Sequence, residues 1–131
     1  MGSMLRGVVV IAALAAASSA LANPAGEARL AQRLEGRTAG KPVDCIRLRD
    51  VRSSEVIDGV AIVYEMPGGR LLVNRPRSGA SSLRQSDILL TRTVSGELCA
   101  PDAVELVDPL SYFPRGFVSL GVFVPYTKPQ R

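Results

Sequence analysis

The chain has 131 residues, no histidine, two cysteines and a net charge of +4 at pH 7. The lack of histidine excludes serine–histidine and cysteine–histidine catalytic sites, as well as histidine-based metal sites. Two distant cysteines do not supply the four ligands of a structural zinc site, so we expect no metal and no other cofactor. The charge is too small to favour a nucleic acid as partner.

Residues 1–22 have the layout of a secretory signal peptide. Arg6 is the only charged residue among the first 26, an apolar block covers residues 8–17, and small residues lead to Ala-Leu-Ala at 20–22. This order of a basic start, a short apolar block and small residues is typical of a cleaved signal. The block is about half of the ~20 residues that a spanning helix needs. We therefore predict cleavage after Ala22, no membrane span in the mature chain, and a periplasmic or secreted protein.

Residues 23–41 are predicted to form a short helix or a linker. Asn23 is a suitable helix cap, Pro24 suits the first helical position, and Gly36 suits the exit. Leu30, Ala31 and Leu34 are predicted to share one face. A segment at a new N-terminus can equally be frayed. We expect the packed domain to begin near Pro42.

Residues 42–131 are predicted to form a single β domain. Ile46 and Leu48 alternate with arginines, which is typical of a half-buried strand. The stretch GVAIVYE is apolar on both faces and predicts a central strand. MPGG and RLLVNR then complete a hairpin. DILLTRTV, ELCA, DAVELVD and FVSLGVFV predict further strands, the last with Val118, Leu120, Val122 and Val124 on one side. About six short antiparallel strands predict a small barrel or a sandwich.

In an exported protein, Cys45 and Cys99 are most simply joined in one disulfide. Two free thiols, or a chemical role, are the alternatives. A redox Cys-x-x-Cys pair is absent, and a catalytic thiol would lack an imidazole partner.

The order of several motifs resembles a family of small secreted bacterial proteins of unknown function. The motifs are DCI-R-R at 44–49, AIVYE…GG-LLVNR at 61–75, GA--L at 79–83, GELC--D at 96–102 and LG-F-PY at 120–126. Members often carry two further cysteines, at places that correspond here to Ala80 and Val118. Loss of both together is what loss of one disulfide would leave, so the resemblance implies that Cys45 pairs with Cys99. It implies no activity.

The segment NRPRSGASSLR forms a basic loop. Arg75, Arg77 and Arg84 are predicted to bind an anionic ligand, such as an envelope polymer or a lipid head group. The alternative is a solvated basic loop without a ligand.

Two further features bear on function. Asp102, Glu105 and Asp108 are predicted to be solvated acids at strand ends and turns, although a carboxylate pair for hydrolysis stays open. Five of the six aromatic residues fall between 112 and 126: Tyr112, Phe113, Phe117, Phe123 and Tyr126. We expect the loop LSYFPRG to fold back over the core; a contact for a partner is the alternative.

These observations together predict an exported, non-enzymatic binding or accessory module of the cell envelope. A carboxylate-dependent hydrolase and a purely structural envelope protein are the alternatives.

Overall fold

A computed structural model describes residue 2 and residues 23–129. The predicted signal peptide, apart from residue 2, lies outside the described residues, as do residues 130 and 131. Among the described residues, a single α-helix precedes ten short strands. They are α1 (Pro24–Arg33), β1 (Thr38–Ala39), β2 (Cys45–Arg47), β3 (Ser53–Ile57), β4 (Ala61–Glu65), β5 (Leu71–Asn74), β6 (Ile88–Thr91), β7 (Glu97–Cys99), β8 (Ala103–Val107), β9 (Pro114–Ser119) and β10 (Phe123–Thr127).

The strands form three antiparallel sheets. A five-stranded sheet has the order β1-β10-β5-β4-β3, a three-stranded sheet has the order β6-β8-β9, and β2 pairs with β7 alone. The predicted mostly β, antiparallel fold is confirmed. The described strands do not close into a barrel, and the arrangement is sandwich-like. The strands outnumber the predicted six because β1 and β3 were not predicted and because FVSLGVFV is divided between β9 and β10.

The core lies on both faces of the five-stranded sheet. On one face, Ile62, Tyr64 and Leu72 pack against Val104, Leu106 and Val118 of the three-stranded sheet, together with Ile46 and Leu98 of the β2–β7 pair. On the other face, Ala61, Val63, Leu71 and Val73 pack under Leu30 of α1. Strand β4 therefore buries both of its faces, as its unbroken apolar sequence predicts.

The helix α1 begins as predicted. The Asn23 side chain accepts a hydrogen bond from the Gly26 amide at 2.9 Å, and Pro24 takes the first helical position. Leu30 is 2 % exposed against the sheet. Ala31, predicted to share its face, is exposed because the buried stripe runs along every fourth residue instead.

The packed structure extends upstream of Pro42. Besides α1, strand β1 pairs with β10 at Thr38 and Ala39. The segment that the sequence left as helix or linker thus belongs to the fold, with the helix over one sheet face and the strand on its edge.

The predicted last strand is wrong as a single element. FVSLGVFV is divided between β9 in the three-stranded sheet and β10 in the five-stranded sheet. At the crossing, the fully buried Asn74 side chain donates to the Gly121 carbonyl at 2.8 Å and accepts from the Gly121 amide at 3.0 Å. A Cβ at Gly121 would overlap the Arg75 carbonyl oxygen. The chain changes sheets here, so Val122 does not share a buried face with Val118.

The predicted disulfide is confirmed. Cys45 and Cys99 are bonded and stand directly opposite each other in the β2–β7 pair. Strand β2 is shorter than predicted, because Leu48 already belongs to a 3-10 turn, Leu48–Asp50. A disulfide is typical of proteins that fold in an oxidising, extracytoplasmic environment. None of the described helices is both long and apolar enough to cross a bilayer.

Candidate functional site

The three-stranded sheet has one buried face and one open face. Along β8, Val104 and Leu106 point into the core, so Ala103 and Glu105 point outward. On β6 the outward residues are Ile88 and Leu90, which are 42 % and 37 % exposed. No described element covers this side of the sheet. We call it the outer face: Ile88, Leu90, Ala103, Glu105, Pro114 and Phe117.

A single row of side chains crosses the outer face at its centre. Leu90 of β6 stands opposite Glu105 of β8, and Glu105 stands opposite Phe117 of β9. Directly opposed side chains on one face of an antiparallel sheet are in contact range. Phe117 is 65 % exposed. The row therefore places one carboxylate between two exposed apolar side chains.

The row lies in a groove of about 570 Å³ that runs over all three strands. Arg92 and Asp102 line the groove as well, both beyond the Thr91–Val104 pair at one end of the sheet. The Arg92 guanidinium is 3.8 Å from the Glu105 carboxylate, and the Arg92 side chain is 81 % exposed. So exposed and distant a pair contributes little to stability. Arg92 is thus only loosely paired with Glu105.

The loop beside the groove, residues 108–113, presents aromatic side chains to solvent. Tyr112 and Phe113 are 73 % and 72 % exposed, and Leu110 is 90 % exposed. The expectation that this loop folds over the core is wrong. Phe123, in contrast, is fully buried in the core. We call residues 108–113 the aromatic loop.

The backbone of the aromatic loop is ordered by Asp108. Its carboxylate accepts the Leu110 amide at 2.8 Å and the Ser111 amide at 3.1 Å, while the Tyr112 amide donates to its carbonyl at 2.9 Å. The hydrogen bond from the Ser111 backbone, followed by that from Leu110, lowers the pKa of Asp108 below its ordinary value. The backbone amides of Leu110, Ser111 and Tyr112 are thus all hydrogen-bonded to Asp108 within the loop.

The outer face and the aromatic loop together are acidic on a basic protein. Asp102, Glu105 and Asp108 carry three negative charges against one positive charge on Arg92, a net −2, whereas the whole chain is +4. Arg115 and Asp87 form an ion pair at 2.5 Å that adds no net charge, and the Asp87 side chain is 1 % exposed. The apolar surface is therefore bordered by more acidic than basic side chains.

Glu105 is not at a strand end, where the sequence had placed the acids. It lies in the middle of β8, with its side chain 33 % exposed, and it alternates with the buried Val104 and Leu106. Asp102 and Asp108 do flank β8, and Asp102 accepts the Cys99 amide at 2.8 Å. The alternation in DAVELVD was the signal that could have placed Glu105 on an outward face.

The three arginines of the basic loop do not form one common site in the structure. Arg75 holds Glu27 of α1 with two hydrogen bonds of 2.6 and 2.9 Å, which raise the pKa of Arg75 and lower that of Glu27. Arg77 and Arg84 are exposed and make no ion pair among the described residues. Arg75 is thus already occupied, and the anion site of Arg75, Arg77 and Arg84 stays a prediction.

The disulfide region contains one cluster of metal-binding atom types. Cys45, Cys99 and Glu97 have sulfur and oxygen atoms within 4.8 Å of one another. The two sulfurs are bonded to each other, so neither is available as a thiolate ligand.

Comparisons with models of protein families, with curated proteins and with solved structures found no match to this chain.

Proposed function

We propose that this protein is a non-enzymatic binding module of the cell envelope, and that it binds through the outer face and the aromatic loop. The observation that carries the proposal is the exposure of Phe117, Tyr112 and Phe113 on an otherwise well-packed domain. Contiguous exposed apolar surface on a small soluble domain marks contact sites, and aromatic side chains are enriched in the centres of interfaces.

The alternative of a carboxylate-dependent hydrolase has less support. Such chemistry needs two carboxyl groups that face a substrate in a cleft. Asp87 is the most buried carboxylate among the described ion pairs. It is paired with Arg115 and accepts a hydrogen bond from the Arg84 amide at 3.0 Å. In the groove, Asp102 binds the Cys99 amide and Glu105 faces Arg92. Nothing in this arrangement favours hydrolysis over binding.

We also propose that the protein is exported, with cleavage after Ala22. A cut there would leave Asn23, the residue that caps α1 and donates to the Asp58 carbonyl at 2.7 Å, at the start of the mature chain. The described packing would then be retained whole, and the disulfide agrees with an oxidising compartment. The resemblance to a family of small secreted bacterial proteins supports the same proposal. N-terminal sequencing of protein from the envelope fraction is expected to begin at Asn23; intact Met1 in the cytoplasm would contradict it.

The binding proposal is tested by capture from the native envelope on immobilised protein. Phe117→Thr removes the ring at the centre of the outer face and keeps a residue that favours strands. Val43→Thr is the matched control, because Val43 is 41 % exposed and lies outside that face. We expect the envelope components retained by the parent protein to be lost with Phe117→Thr and kept with Val43→Thr. Equal retention by both variants would show that the outer face is not the binding surface.

A further inference from the structure

Strand β6 is an open and unprotected sheet edge. It ends the three-stranded sheet, and among the described residues no strand pairs with its second edge. The opposite edge of that sheet, β9, is covered: the Arg77 amide donates to the Ser119 carbonyl at 2.8 Å, and Ser78 bridges Ser119. The sheet is thus closed on one side by the basic loop and open on the other.

Natural proteins protect such edges with charged residues, prolines or covering elements. The edge strand β3 shows this protection, since its Glu55 is held by Arg29 and Arg33 of α1 at 3.5 and 3.0 Å. Strand β6 has the sequence Ile-Leu-Leu-Thr, with no charge and no proline. An apolar edge left without these devices is suited to pairing with an added strand.

The charge of the surface selects the partner. A strand added to β6 would place one outward side chain beside Leu90 and two strand spacings, about 10 Å, from Glu105. A lysine or arginine there can lay its aliphatic stem on Leu90 and bring its charged head to Glu105, displacing the loose Arg92. Phe117 borders the same carboxylate from β9 and offers its ring to the cation. An acidic side chain would instead meet the net −2 of this surface.

We infer that the outer face binds an extended polypeptide segment that pairs with β6 and carries a lysine or arginine flanked by apolar residues at alternate positions. This inference rests on the proposed binding function and names the partner class. A second copy of the chain and a lipid surface are the other occupants of an apolar face. The net −2 of Asp102, Glu105, Asp108 and Arg92 disfavours an anionic lipid surface in particular.

The test uses a random twelve-residue peptide library displayed on phage, panned against the disulfide-bonded protein. We expect the enriched sequences to carry lysine or arginine between alternating apolar residues. Glu105→Gln keeps the shape of the side chain and removes its charge, and we expect it to weaken binding of a synthetic selected peptide by about tenfold. Glu97→Gln, which neutralises an exposed acid on β7, is the matched control and should leave the affinity unchanged. Backbone amide signals of residues 88–91 should shift on binding in NMR spectra.

The outcomes separate the two proposals. The selected peptides could lack basic residues and still bind Phe117→Thr more weakly than the parent protein. That result would overturn the partner class and leave the proposed binding surface in place. Peptides that bind Glu105→Gln and Phe117→Thr as tightly as they bind the parent protein would overturn both the partner class and the binding surface. Self-association of the protein that Leu90→Lys abolishes, without enrichment of any basic peptide, would assign the edge to a second copy and overturn the inference.

Discussion

The five-stranded and three-stranded sheets differ in how their faces are covered. The five-stranded sheet is packed on one face by the three-stranded sheet and on the other by α1. The three-stranded sheet is packed on one face only, and its outer face carries Phe117 at 65 % exposure. A chain of this size can bury only a limited core, and here that core covers both faces of the five-stranded sheet. The uncovered face of the second sheet is the surface through which we propose that the protein binds.

The cover of the five-stranded sheet gives the largest expected effect. Leu30→Ala removes the α1 side chain that is 2 % exposed over Val63 and Val73. We expect the free energy of unfolding to fall by about 3–4 kcal/mol, from lost burial and the cavity left behind. Urea denaturation measures it, with the exposed Ala31→Ser as control, expected within about ±0.5 kcal/mol. A loss below about 1 kcal/mol for Leu30→Ala would show that α1 is not an integral cover.

The disulfide gives the next largest effect. Cys45→Ser, Cys99→Ser and the double variant are each expected to lower the free energy of unfolding by about 2–4 kcal/mol, since the bond restricts a long loop of the unfolded chain. The double variant should not equal the sum of the singles, because the same bond is lost in all three. Folded variants should retain peptide binding, as neither sulfur lies on the outer face.

Non-reducing mass spectrometry with alkylation checks the bond itself. Two alkylatable thiols in protein taken from the envelope would contradict it.

The smallest effect concerns the contact between α1 and the basic loop. Because Arg75 lowers the pKa of Glu27 below its ordinary value of 4.5, the pair stabilises the fold above that pH, and its contribution is lost as the pH falls through the lowered pKa. Glu27→Gln should therefore cost about 0.5 kcal/mol near pH 7 and nothing in strong acid. Urea denaturation of the variant and its parent, from pH 7 down into strong acid, measures this difference in the free energy of unfolding. A difference between the variant and its parent that grows as the pH falls would have the wrong sign.

Sequence patterns predicted those features of the fold that depend on local signals. The cap formed by Asn23 and Pro24, the hairpin of β4 and β5, and the doubly buried β4 all follow from residues close together in the chain. Strand β3 was missed because Ser53, Ser54 and Glu55 hide its alternation, and only pairing with β4 makes it a strand.

Other features depend on contacts that sequence spacing does not contain. The change of sheet at Gly121 is set by the Asn74 side chain, 47 residues away. The candidate site needs the register of three strands, which places Leu90, Glu105 and Phe117 in one row. The aromatic loop is exposed although the hydrophobicity of its residues favoured burial, and its backbone is hydrogen-bonded to Asp108.

Adjacent residues of β9 test the contrast between the two faces most directly. Val118 is fully buried against the core, whereas Phe117 is on the outer face. The measurement is the free energy of unfolding of Phe117→Thr beside Val118→Thr. We predict a change within about ±0.5 kcal/mol for Phe117→Thr and a loss of about 1–3 kcal/mol for Val118→Thr, which buries a hydroxyl. A loss of about 3 kcal/mol or more for Phe117→Thr would contradict the account, because it would mean that the outer face is covered within the protein itself.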